Sequence, residues 1–163
     1  MEHRLALVGL LIFAAVAAVA APTERQAAFV EGVRALEDDP VGRKAKEERT
    51  ELFKWLVEAP DVQLTWCAAL LLEVSDEHKE LGSVVLIHAI LGAGVFVIEH
   101  PESVEDARAV SRAGIAAALR AYESIQKTKP KWRSALLDRF KTDGAPAIDE
   151  YIEAHLPSCK EAA

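Results

Sequence analysis

The stretch LGSVVLIHAILGAGVFVIEHPES, Leu81 to Ser103, decides the fold. Three structures compete for it: a membrane span, a β-hairpin turning at Gly92-Ala93-Gly94, and a helix buried in a protein core. Leu81 to Ile98 contains 18 residues without a formal charge, the lower limit for a span. His88 sits at its middle, however, and Gly82, Ser83, Gly92 and Gly94 dilute its hydrophobicity. The flank that follows carries Glu99, Glu102, Glu105 and Asp106, whereas a stop-transfer flank carries lysine and arginine. A hairpin suits the β-branched residues Val84, Val85, Ile87, Ile90, Val95, Val97 and Ile98. No other segment offers it a partner strand, and a lone hairpin is marginal in water. The preferred reading is a helix, apolar on all sides and therefore central, surrounded by other helices. Its two interior glycines cost ~1 kcal/mol each against alanine and are expected to permit close packing, against the next helix.

Proline and glycine divide the remaining chain into helical segments. The first is expected over about Glu24 to Glu37, with Phe29, Val33 and Leu36 on one face. The second covers about Arg43 to Glu58. Leu52, Phe53, Leu56 and Val57 form its apolar stripe, and Lys44, Glu47, Glu48 and Glu51 its solvated face. Asp61 is placed to cap a third helix over Val62 to Asp76. Beyond Pro101, Ser103 and Asp106 match the S-x-x-D start signal of a long helix reaching about Lys127. Ala109, Ala113, Ala117 and Ala121 give that helix one small face. Two shorter helices follow, about Lys131 to Lys141 and Pro146 to His155, with Pro157 ending the last. The expected fold is all-α, a bundle of six to seven helices around the central hydrophobic one.

The N-terminus, MEHRLALVGLLIFAAVAAVAAPTER, has the order of a secretory signal peptide: Arg4, an apolar run, then small residues ending Ala18-Val19-Ala20. Residues 1–20 are read as that signal and 21–163 as one helical domain, exported to the periplasm or the cell exterior. The alternative is an uncleaved N-terminal anchor. A net charge of −7 argues against nucleic acid as a partner, because the overall field repels phosphates. Cys67 and Cys159 are the two cysteines, an even count that in an exported chain permits one disulfide across a long loop.

His88 is the sharpest single candidate for chemistry, since an imidazole inside an apolar helix is a base, a ligand or a hydrogen-bonded core residue. Glu99 lies about 16 Å along the same helix, too far to share a metal with it, and no E-x-x-H or H-E-x-x-H occurs. The clusters SDEHKE and EHPE bracket the helix and read as solvated ends. Lys127, Lys129, Lys131, Trp132 and Arg133 gather around Pro130 as a second candidate, a contact for an anionic ligand, a lipid headgroup or an acidic partner. No serine-hydrolase elbow, phosphate loop, haem motif or zinc cluster occurs, so neither metal nor cofactor is assigned.

Ala118 to Pro130, ALRAYESIQKTKP, resembles the second helix of a tetratricopeptide repeat, with Ala118, Tyr122 and Pro130 at the motif's spacing. Ile125 departs from it, and the resemblance covers half of one repeat. It implies a helical hairpin that binds proteins or peptides. The leading expectation is therefore an exported binding module with a protein or peptide partner. An enzyme with a site near His88, and an envelope protein attached to the membrane through residues 81–98, are the alternatives.

Overall fold

A computed structural model describes residues 21–67 and 69–161; the expected signal segment, residues 1–20, lies outside them. Seven α-helices occur among the described residues: α1 (Glu24–Asp38), α2 (Ala45–Glu58), α3 (Leu72–Glu77), α4 (Lys79–Glu99), α5 (Ala107–Thr128), α6 (Ala135–Asp143) and α7 (Ala145–Glu161). No strand occurs among the described residues, and the structure is the all-α bundle expected.

The decisive stretch is helix α4, and it is the spine of the bundle. His78 starts it, its Nδ1 accepting from the Leu81 N–H at 3.3 Å. It has the length and mean hydropathy of a membrane span, but 67% of its most apolar window is buried among the other helices. Its N-terminal half, with Leu81, Val85 and Ala89, belongs to a core shared with α3, α5, α6 and α7. Its C-terminal half, with Leu91 and Ile98, joins Phe29, Val30, Val33, Leu36 and Leu56 of α1 and α2. A third, smaller cluster joins its Ala93 and Val97 to Val110 of α5, so one helix touches three cores, which explains why no side of it is polar.

The glycines act as expected, though on two faces. A β-carbon placed on Gly92 would lie 2.1 Å from Cβ of Ala117 and 3.6 Å from the Ala113 carbonyl, so α4 and α5 meet there with almost no side chain between them. Gly114 of α5 returns the contact, since its β-carbon would be 2.7 Å from the Ala89 carbonyl and 2.4 Å from the Trp66 ring. Gly94 faces the other core instead, against Leu56 and Phe29. Ion pairs clamp the outer edges of the bundle. Glu37 is nearly buried in α1 and is held by Arg120 of α5 through two hydrogen bonds of 2.6 and 3.0 Å. Arg34 pairs with Glu99, and Arg108 and Arg112 of α5 pair with Glu153 and Asp149 of α7.

Four expectations need correction. Val62 to Asp76 is not one helix: residues 62–67 run without helical structure, and only Leu72–Glu77 is helical. Val62, Leu64 and Trp66 pack inward while Asp61, Gln63 and Thr65 are exposed, an alternation of period two that suits an extended strap. A turn leads into α3 at Leu71, whose φ of 68° places a bulky residue in the left-handed region. The Leu71 N–H donates to the Tyr151 hydroxyl at 3.2 Å, so α7 holds this turn in place. Asp61 caps nothing and instead accepts from the Gln26 side chain at 3.0 Å.

The start of α5 is set by Asp106, whose carboxylate accepts from the N–H groups of Arg108 and Ala109, while Ser103 closes a separate 3-10 turn. Helix α7 continues through Pro157 to Glu161, where a proline removes one N–H without ending the helix. Finally, the apolar face of α2 is rotated. Leu56 is buried and Trp55 stacks on Phe29 with centroids 4.6 Å apart, leaving Phe53 and Val57 37% and 69% exposed.

Gly92 and Gly94 give a ranked test. Gly92→Leu must force α4 from α5 and is expected to abolish the cooperative unfolding transition or cost at least ~3 kcal/mol. Gly94→Ala meets only the movable end of Leu56 and should cost ~1 kcal/mol or less. Chemical denaturation monitored by circular dichroism checks the order; an equal effect at both positions would contradict the packing described.

Candidate functional site

The two candidate clusters are separate. His88 lies ten residues beyond His78 on α4, about 15 Å along its axis, whereas Trp132 packs beside His78. His88 is fully buried, and neither of its ring nitrogens has a hydrogen-bond partner among the described residues. Burial, with a smaller contribution from the Arg49 guanidinium, pushes its pKa down to about 3. Arg49 donates to the Pro40 carbonyl from a half-buried position. His88 is therefore a neutral imidazole at physiological pH, with no carboxylate to orient it and none of the grooves described below in reach. A proton-transfer role requires a path to substrate and a partner that fixes the tautomer.

The basic cluster is largely absorbed by its own neighbours. Lys129 sits 4.4 Å above the Trp132 ring, and the His78 ring packs against that tryptophan at 5.1 Å. Arg133 donates to Asp138 with Nε and Nη2 at 3.0 and 2.7 Å. Asp138 also accepts from the Tyr122 hydroxyl at 2.9 Å, and that oxygen in turn accepts from the Ser134 N–H at 3.2 Å. Desolvation raises the Tyr122 pKa to about 12, so its proton stays in this chain. Ser134 caps α6, and the Glu77 carboxylate accepts from the Ala135 N–H. Trp132 against His78 and the Ala135 N–H on Glu77 thus fasten the α5–α6 turn onto the α3–α4 junction, while Lys129 and Arg133 brace the turn itself. Lys127 and Lys131 remain exposed at its edge.

The acidic and histidine clusters at the two ends of α4 stay apart, each making a local contact: His78 with Glu80 and His100 with Glu102. No three His, Cys, Asp or Glu side chains converge on a metal-sized site among the described residues. Cys67 and Cys159 do meet, with Cα atoms 5.6 Å apart, at disulfide-bonding distance. The pair ties the end of the strap to the last turn of α7.

The concave feature that stands out is one the sequence did not single out. Helices α1 and α2 diverge above the Phe29–Trp55 stack and leave a groove of about 630 Å³. Ala28, Gly32 and Ala35 line the α1 wall, Leu52 and Trp55 the α2 wall. The α1 residues recur at four and three positions, so one bare stripe faces outward along the helix. Gly32 holds the floor low: a β-carbon there would lie 3.0 Å from Leu52. Such an open apolar furrow between two helices, with satisfied backbones on both walls, has the shape that receives another helix. The available signal was the small-residue stripe on α1, which the amphipathic reading of Phe29, Val33 and Leu36 left on the solvent side.

His88 makes a pH prediction with a defined sign. Its folded pKa of about 3 lies below the ordinary 6.5, so the unfolded chain takes up the proton first. The stability that depends on the neutral ring is therefore complete above about pH 6.5 and falls as pH drops towards 3. His88→Leu should remove this dependence, up to about 1.4 kcal/mol per pH unit between wild type and variant, and leave stability at pH 7 unchanged or higher. Urea midpoints across that range check it, and parallel profiles for the two proteins would refute it.

No protein-family model, curated protein or solved structure matches this chain.

Proposed function

We propose that the protein is an exported helical scaffold that binds a protein or peptide partner in the groove between α1 and α2. The observation carrying this reading is the groove itself, an open apolar furrow floored by Gly32 and a stacked Phe29–Trp55 pair. Binding sites of this class bury apolar anchors from a partner in such a furrow. The two candidates from the sequence lie away from this groove: His88 is sealed in the core, and Trp132 packs against His78 in a turn. The likeness of Ala118–Pro130 to half a tetratricopeptide repeat points to the same class of function.

Export is supported by the signal-like order of residues 1–20 and by the pairing distance of Cys67 and Cys159. A bridge spanning 92 residues stabilises by up to ~4–5 kcal/mol through chain entropy, and it would hold the strap and α7 together outside the cell.

Two measurements test the proposal. Intact mass of protein recovered from an oxidising compartment should correspond to a chain beginning at Ala21 and lacking two hydrogens. A full-length chain or two titratable thiols would overturn the export reading. Helical peptides selected for binding to the protein should lose at least ~10-fold affinity for Ala28→Arg, which fills the groove from an exposed position. Selected binders indifferent to that substitution would place binding elsewhere.

A further inference from the structure

We infer that the groove selects a cationic amphipathic helix, an inference that rests on the groove being the binding site. Its walls determine the backbone of the occupant first. Both are α-helices whose main-chain groups are already paired, so an extended peptide would find no strand edge to join. A helix needs no such edge. The three- and four-residue spacing of the small residues on α1, and of Glu48, Leu52 and Trp55 on α2, matches the ridges a third helix would present.

Charge then determines the flanks. The groove continues past Trp55 into a second hollow of about 530 Å³ that shares Arg25 and Trp55 with the first. Glu48 and Glu51 line the first part, and Glu24, Glu58 and Asp61 line the second. Among the described residues, Arg25 is the one cation lining either part. Glu24, Glu48 and Glu51 make no ion pair with another described residue, and Glu58 reaches only Lys54, at 3.8 Å on the exposed surface. Five carboxylates, two on the α2 wall of the furrow and three around the second hollow, attract lysine and arginine beside an apolar stripe and repel a helix flanked by acids. The net charge of −7 adds long-range steering of the same sign.

Two helix-forming peptides of about 16 residues, with the same leucine stripe and either lysine or glutamate flanks, serve as probes. Titration calorimetry at low salt should find the lysine peptide bound at least ~10-fold more tightly, with the advantage shrinking as salt is raised. Glu48→Lys/Glu51→Lys changes only exposed side chains and should reverse the preference while the circular dichroism spectrum is retained. Equal binding of both peptides, blocked by Ala28→Arg, would overturn the charge selection and leave the groove as the site. Binding of neither peptide would overturn the groove reading as well. A dimer in sedimentation that Ala28→Arg dissolves would assign the groove to a second copy of this chain and overturn the cationic partner.

Discussion

The close approach of α4 to α5 is the contact on which the remaining structure depends. Gly92 against Ala117, and Gly114 against the Ala89 carbonyl, remove the side chains that would otherwise separate the two longest helices. Small residues at a crossing allow backbone-to-backbone packing, with dispersion contacts that a larger residue would forfeit through displacement. Once α4 lies this deep, its remaining surface must be covered by other elements. The strap places Trp66 over Gly114, α3 crosses at Gly82, and α1 and α2 close over Gly94. Gly82, Gly92 and Gly94 of the spine therefore set the distances of α3, of α5 and of the α1–α2 pair.

This arrangement also decides which groups remain available for function. The spine draws His88 inward with it and strips it of both water and partners, which converts the most suggestive residue of the chain into a neutral core ring. After Pro130, Trp132 packs against His78 at the start of α4, and Arg133 pairs with Asp138 of α6. By contrast, α1 and α2 meet the spine only along one face each. Phe29 and Leu56 turn toward Gly94, and the outer stripe of α1 carries only Ala28, Gly32 and Ala35. The furrow follows from that economy of side chains.

Much of the architecture is legible in the residues. The central helix, the boundaries of α1, and the packing role of Gly92 follow from hydropathy period and punctuation. Residues 62–76 were misleading because their apolar content is equally consistent with a buried helix and a buried strap. The alternation Val62, Leu64, Trp66 is present, but it spans too few residues for a period of two to stand out from the apolar run that follows it in the sequence. The face of α2 was misread for a related reason. Leu52, Phe53, Leu56 and Val57 make a plausible stripe, yet Trp55 gains more by stacking on Phe29, and that partner lies on another helix.

Sequence alone determined that the chain forms helices, that residues 81–98 are best hidden from water, and that the balance of charge is acidic. Those are local or compositional properties, set by spacing and by the cost of exposing apolar surface. Only the tertiary structure decided that His88 faces no partner among the described residues, that Trp132 packs between His78 and Lys129, and that an acidic groove lies between α1 and α2. Each of these depends on which side chains from distant segments arrive at the same place. The spacing of residues along one helix carries no record of what the neighbouring helix presents.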